Sequence, residues 1–113
     1  MGRISLPEST APGPTKPAVR ALALWQLDLR PSDHVVDVGA GTGAVTIEAA
    51  QVADRVTAIE RDPERVAAIR TNVAASGVAE SVTVTDATAP AGLPESADAV
   101  FVGGTQNLAA VLD

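Results

Sequence analysis

The chain has 113 residues, enough for one compact domain. It contains no cysteine and a single histidine, which excludes disulfides and thiolate metal sites and argues against a histidine-based metal site, so no metal is expected. The net charge of -6 argues against nucleic acid as a partner, and no apolar run reaches transmembrane length or forms a signal peptide. We therefore expect a cytoplasmic protein that does not contact a membrane.

The N-terminal part is predicted to be an irregular lead-in over residues 1–14, because prolines at 7, 12 and 14 interrupt it. The remaining residues, 15–113, are predicted to form one partial domain. Thr15 can cap a first helix that runs to about residue 27. Residues 21–25 of this helix are apolar nearly all round, which is typical of a helix covered on more than one side.

After this helix the pattern alternates between strands and helices. The predicted strands are residues 35–38, 55–59, 82–85 and 97–102, each a short apolar or alternating run. Helices are predicted from Gly43, from Asp62 as a cap followed by Pro63, and from Asn107. His34 is expected at the surface. This alternation predicts an α/β protein with about four parallel strands and right-handed crossovers.

A glycine-rich turn follows the first predicted strand of the parallel sheet. Residues 37–43 read Asp-Val-Gly-Ala-Gly-Thr-Gly. Parallel sheets bind ligands beyond the carboxyl ends of their strands, and glycines let the backbone approach a ligand closely. The amides at the start of the following helix can face an anionic group. The turn therefore predicts a cofactor site built from Gly39, Ala40, Gly41, Thr42 and Gly43.

Two ligand classes compete for this turn. The dinucleotide pattern G-x-G-x-x-G/A can be fitted with Gly39, Gly41 and Ala44, so the glycines alone do not decide. Asp37 favours S-adenosylmethionine, because a carboxylate would repel a pyrophosphate but attract the ammonium group of the methionine end. The alternative for Asp37 is a structural acid that accepts hydrogen bonds from amides of the turn.

Acids also stand at the ends of the next two predicted strands. Glu60 follows Asp37 by 23 residues, at a position where an acid can bind both ribose hydroxyls. Asp86 follows the third strand and precedes Ala87. The alternatives are a solvated Glu60 and an Asp86 that caps a local turn. Three acids at three successive strand ends favour a cofactor-binding edge of the sheet.

The motif Asp-x-Gly-x-Gly-x-Gly resembles the signature of class I S-adenosylmethionine-dependent methyltransferases, which have a Rossmann-like fold. Three further segments, residues 12–20, 29–33 and 99–105, narrow the resemblance. With the glycine turn they look like the decarboxylating cobalt-precorrin C15-methyltransferase family of cobalamin biosynthesis. The resemblance runs from about Pro12 to the chain end, and its most specific parts are Pro-Gly-Pro-Thr at 12–15 and Gly-Gly-Thr at 103–105.

The resemblance implies a role for each part of the site. The glycine turn would wrap the methionine end of S-adenosyl-L-methionine, and Glu60 would bind the ribose. Asp86 and Ala87 would flank the adenine, and Thr15 would contact the cofactor, unless it is only a helix cap. The residues implied to face the methyl group and the corrinoid substrate are Gly103, Gly104 and Thr105. No catalytic residue is assigned, because the sulfonium methyl carbon is already electrophilic.

The resemblance also implies an activity and partners. Members of the family methylate carbon 15 of a cobalt-precorrin, a tetrapyrrole, and decarboxylate an acetate side chain. They form homo-oligomers, and a C5-methyltransferase acts beside them in the pathway. Their fold has seven strands, so this chain would be an N-terminal portion that lacks the C-terminal strands and leaves residues 97–102 as an exposed edge.

Two alternatives to this enzyme stay open. The first is a truncated cofactor-binding half-domain with no activity of its own. The second is a class I methyltransferase that acts on another small molecule, a protein or an RNA. The acidic charge of the chain weighs against RNA.

Overall fold

One sheet of six strands organises the chain. A computed structural model describes residues 3–5, 28–103 and 108–111. The strands stand in the order β1-β6-β5-β2-β3-β4. They are β1 (Arg3–Ser5), β2 (His34–Val38), β3 (Arg55–Glu60), β4 (Val82–Asp86), β5 (Ala99–Val102) and β6 (Leu108–Val111).

The central part of the sheet is parallel. Strands β5, β2, β3 and β4 pair side by side in the same direction, with Val35 opposite Val56 on one side and Ala99 on the other. Val35 and Val36 are at most 1% exposed although their side chains point to opposite faces. A strand covered on both faces needs a continuous apolar run, which is what the sequence has here. The prediction of four parallel strands is confirmed.

Two helices connect the parallel strands: α1 (Ala44–Ala50) and α2 (Pro63–Ala75). Helix α2 begins as predicted, because the backbone N–H of Glu64 donates to Oδ1 of Asp62 at 3.0 Å and Pro63 occupies the first turn. It ends near Gly77, whose φ of 73° favours glycine. Within the described residues, no helix combines the length and apolar character needed to cross a membrane.

The core is built mainly from small side chains. Among the described residues, Phe101 is the one aromatic side chain of this core, and it is 1% exposed. Such a core is stabilised by many close contacts and not by a few large anchors. Its buried members are Leu29, Val35, Val45, Ala49, Ala53, Val56, Ala99 and Phe101.

Three expectations about strands β1, β5 and β6 are wrong. Leu108–Val111 is a strand and not part of a helix, and it pairs antiparallel with β5. Strand β5 is therefore not an exposed edge: β6 bonds backbone groups that would otherwise lack partners. Arg3–Ser5 pairs with β6, so the predicted irregular lead-in does not hold for these residues.

His34 is buried and not at the surface, with 8% of its area exposed. Its Nε2 lies 2.7 Å from Oγ1 of Thr57, and its backbone N–H donates to Oδ2 of Asp98 at 2.7 Å. These contacts tie the starts of three parallel strands together, at the end of the sheet opposite the glycine turn. The helix predicted from residue 15 to about residue 27 lies outside the described residues.

Candidate cofactor site

The glycine turn is bonded to the end of the neighbouring strand. The N–H groups of Gly39 and Ala40 both donate to the carbonyl of Ile59, at 2.8 and 3.2 Å. Gly39, Gly41 and Gly43 have φ values of 69°, 62° and 90°, a region that L side chains rarely adopt. The alternating glycines are therefore required by the backbone path of the turn itself.

The spaces around these glycines differ. A Cβ on Gly41 would meet no atom within 4 Å, so this position faces open space. A Cβ on Gly43 would lie 3.2 Å from Cγ2 of Ile69, so the missing side chain lets α2 pack against the turn. A Cβ on Gly39 would meet one atom, the carbonyl carbon of Gly103, at 4.0 Å, so the missing side chains at Gly39 and Gly41 both leave room that a ligand could use.

A pocket of about 320 Å³ lies at the carboxyl ends of β2, β3 and β4. This volume falls at the lower end of the range of roughly 300–1,000 Å³ that small-molecule sites occupy. The position agrees with the rule that open α/β sheets bind ligands beyond the ends of their strands. The lining residues are Val38, Gly39, Ile59, Glu60, Arg61, Arg65, Ala87, Thr88 and Ala89.

Glu60 joins the glycine turn to this pocket. The residue lines the pocket although it is only 3% exposed, so the solvated alternative is wrong. Oε1 accepts a hydrogen bond from the N–H of Gly41 at 2.9 Å, and Oε2 accepts one from the N–H of Asp62 at 3.1 Å. Charge-assisted bonds of this kind hold both the turn and the start of α2 in place.

Asp37 has a different environment from the one expected. It is 1% exposed, and the hydroxyl of Thr46 donates to its Oδ2 at 2.6 Å. Burial raises the pKa of Asp37 to about 7, against the opposing effect of hydrogen bonds from Thr46. The carboxyl group bonds the first turn of α1, whose N-cap, Gly43, has no capping side chain. Asp37 does not line the pocket, and its contacts agree with the structural alternative.

The two residues predicted beside the adenine are placed differently from each other. Ala87 lines the pocket, and its N–H donates to the carbonyl of Glu60 at 3.1 Å. Asp86 is exposed and stands opposite Glu60 in the sheet, but does not line the pocket. Gly92, with φ of 84°, lets the following loop fold back so closely that a Cβ would lie 3.0 Å from Cγ2 of Thr85.

The end of β5 also approaches the glycine turn. The N–H of Gly103 donates to the carbonyl of Val38 at 2.7 Å. A Cβ on Gly103 would lie 2.6 Å from the carbonyl oxygen of Gly39, so no larger residue fits there without a backbone shift. Thr15, Gly104 and Thr105, the other predicted contacts, lie outside the described residues.

Several residues of the site were missed by sequence reasoning, among them Val38, Ile59, Thr88 and Ala89 of the pocket lining. Arg61 and Arg65 line the pocket, and Asn72 donates from Nδ2 to the carbonyl of Thr42 at 2.8 Å. A signal for Asn72 existed: asparagine is a poor residue for a helix interior, and it follows the buried Ile69 by three positions. For the arginines, the signal was their position directly after Glu60 and in the first turn of α2.

A parallel α/β sheet with a glycine turn after one strand and an acid closing the next is a Rossmann-like arrangement, which class I methyltransferases share with dinucleotide-binding proteins. Residues 13–113 match the family described as the precorrin methyltransferase domain, and the chain belongs to that family. This confirms the resemblance found in the sequence.

Individual relatives agree with the family. A probable cobalt-precorrin-6B C(15)-methyltransferase (decarboxylating) from Halobacterium salinarum is 51% identical over the whole chain, which covers 60% of that protein. The crystal structure of precorrin 8W decarboxylase from Methanobacterium thermoautotrophicum is 37% identical with a TM-score of 0.72, over 87% of this chain and 54% of that one.

A third similar protein was crystallised with a cofactor product. The RNA methyltransferase from Salinibacter ruber, in complex with S-adenosyl-L-homocysteine, is 30% identical with a TM-score of 0.69. The alignment covers 81% of this chain and 60% of that one. The chain thus spans between half and three fifths of the length of these three relatives.

Proposed function

We propose that this chain is the cofactor-binding part of an S-adenosylmethionine-dependent methyltransferase of cobalamin biosynthesis. The reaction would methylate carbon 15 of a cobalt-precorrin and decarboxylate an acetate side chain. The family and the 51% identity to the Halobacterium relative support the substrate class. The observation that carries the proposal is the bond between Glu60 and Gly41, because it ties the strand-end acid that lines the pocket to the glycine turn, whose Gly39 lines the same pocket.

The residues of the pocket fit S-adenosylmethionine. A carboxylate offers about four lone-pair directions, and Glu60 uses one per oxygen on Gly41 and Asp62, which leaves acceptors for two ribose hydroxyls. Ala87 and Ala89 make one wall small enough for a flat adenine ring. The open space beside Gly41 leaves room for the methionine end.

In catalysis, this chain would bind S-adenosylmethionine and orient its methyl group toward the acceptor. When bound, S-adenosylmethionine supplies a methyl carbon activated by its sulfonium group. Holding donor and acceptor in line can contribute roughly 7–11 kcal/mol to lowering a barrier. Glu60 is the one carboxylate among the residues that line the described pocket, and two backbone amides already hold it, so we assign it to binding and not to proton transfer.

The remaining roles follow from the resemblance. Thr15 would contact the cofactor from the N-terminal side, and Asp86 would reach the adenine amino group by a side-chain rotation. Gly103, Gly104 and Thr105 would face the methyl group and the tetrapyrrole. The close approach of Gly103 to Gly39 supports this, since it brings the end of β5 beside the turn.

We also propose that the protein acts in the cytoplasm as a homo-oligomer, with a C5-methyltransferase acting beside it in the pathway. The apolar segment at residues 21–25 supports an oligomer contact, because solvent exposure of such a segment is unfavourable.

A turnover assay tests the reaction. The purified chain is incubated with S-adenosylmethionine and a cobalt-precorrin that carries the unmethylated carbon 15, and the product mass is measured. The Salmonella typhimurium cobalt-precorrin-6B C(15)-methyltransferase, 43% identical over 102 residues, serves as the positive control. Gain of a methyl group with loss of carbon dioxide supports the proposal. Cofactor binding without turnover would assign the chain to the binding half-domain alone.

A further inference from the structure

Helix α2 is attached to the glycine turn at two separate points. At its start, the carboxylate of Glu60 bonds the N–H of Gly41 and the N–H of Asp62, the cap of the helix. Near its end, Nδ2 of Asn72 donates to the carbonyl of Thr42 at 2.8 Å. The two points are separated by ten residues, or about 15 Å of helix. Helix α2 thus supports the glycine turn from both its first residues and its last turn.

The Thr42 peptide groups need such a brace. Thr42 lies between Gly41 and Gly43, and glycine restricts backbone rotation less than any other residue. The N–H of Gly41, one residue earlier in the turn, is held by Glu60. The peptide between Thr42 and Gly43 is held at both of its polar groups. Its N–H, that of Gly43, donates to the carbonyl of Ala40 at 2.9 Å within the turn, and its carbonyl, that of Thr42, accepts from Asn72. Asn72 therefore supplies the bond that holds this peptide from outside the turn.

We propose that Asn72 is a positioning residue for cofactor binding: its amide holds the Thr42 carbonyl, and through it sets the amides of the glycine turn before the cofactor arrives. The inference rests on the proposed function. Asn72 is exposed and does not line the pocket, so it acts through the turn and not by contact with the ligand. A turn that is already ordered loses less freedom on binding, which strengthens affinity.

The primary test compares Asn72→Ala with Thr71→Ala in the full chain. Thr71 is the exposed neighbour on the same helix, and both changes replace a poor helix former with the best one. Calorimetry with S-adenosylhomocysteine should show binding weakened about three- to tenfold in Asn72→Ala, the scale of one lost hydrogen bond, and unchanged in Thr71→Ala. The melting temperature without ligand should not fall below that of Thr71→Ala.

A charged pair of variants sharpens the comparison. Asn72→Asp keeps the shape but replaces the donor by an oxygen that the Thr42 carbonyl repels, so it should bind more weakly than Asn72→Ala. Thr71→Asp adds the same charge one position away and should bind as the wild type does. If helix propensity alone decided the outcome, Asn72→Ala would bind S-adenosylhomocysteine at least as tightly as the wild type does.

Amide hydrogen exchange on the ligand-free protein separates this inference from the proposed function. The amides of Gly41 and Gly43 should exchange faster in Asn72→Ala than in Thr71→Ala. Equal exchange and equal affinity in the two variants would overturn the inference, as would weaker binding that appears only with a lower melting temperature. A wild type that does not bind S-adenosylhomocysteine would refute the proposed function, while exchange would still decide whether Asn72 holds the turn.

Discussion

Replacing Asp37 by asparagine should remove a large pH dependence from the stability of this protein. The carboxyl group is 1% exposed, and burial raises its pKa from 3.8 to about 7. Between these two values the native state holds a proton that the unfolded state has released. The free energy of unfolding therefore falls as the pH rises, and the stabilisation present below pH 3.8 is lost by the time the pH passes 7.

The size of the effect follows from the shift. Each unit of pKa difference corresponds to about 1.4 kcal/mol, so the full shift of about 3 units corresponds to about 4 kcal/mol. Roughly 3 kcal/mol of this change falls between pH 5 and pH 8. The amide introduced by Asp37→Asn is neutral throughout this range, so the variant should lack this part of the slope.

Urea unfolding at pH 5, 6, 7 and 8 measures the difference. As the pH rises from 5 to 8, the wild type should lose roughly 3 kcal/mol of unfolding free energy relative to Asp37→Asn. Asp86→Asn, the same change at an exposed carboxyl group, is the matched control for loss of a carboxyl group as such. Parallel curves for Asp37→Asn would mean that Asp37 stays ionised in the fold, as an acid facing an ammonium group would.

Three further predictions concern the site and the opposite end of the sheet. Glu60→Ala should weaken S-adenosylhomocysteine binding by roughly 1–3 kcal/mol, and an unchanged dissociation constant would remove Glu60 from the site. Gly41→Ala should lower the free energy of unfolding by only about 1–2 kcal/mol, because its Cβ meets no atom, and should still weaken S-adenosylhomocysteine binding. In Gly103→Ala the Cβ would lie 2.6 Å from the Gly39 oxygen, so the loss of stability should be roughly 1–3 kcal/mol and should accompany any loss of binding. Burial and the nearby Arg55 lower the pKa of His34, so the native state binds fewer protons than the unfolded state. The free energy of unfolding should therefore fall as the pH drops below 6.5, and urea titrations of His34→Gln should not show this fall.

Elements set by local chemistry were predictable from the sequence. The run at residues 35–38 had to be buried on both faces, and the glycines at 39, 41 and 43 each adopt a positive φ. Asp62 and Pro63 start α2 as their side chains dictate. Glu60 reached the pocket because the ends of parallel strands lie at one edge of the sheet.

Features set by distant partners were not predictable in the same way. Leu108–Val111 has helix-forming alanines, but it pairs with β5, whose free backbone groups no local pattern reveals. The direction of the Asp37 carboxyl group depends on where Thr46 and α1 pack. The bond from Asn72 to Thr42 joins residues 30 apart in sequence, so only the packed helix brings them together.

The central claim is that the pocket beside Glu60 and Gly41 binds the methionine-derived cofactor and not a dinucleotide. Isothermal calorimetry of the wild-type chain with S-adenosylhomocysteine and, separately, with NADH tests it most directly. We expect saturable binding of S-adenosylhomocysteine that weakens in Glu60→Ala, and no binding of NADH. Binding of NADH without binding of S-adenosylhomocysteine would contradict it.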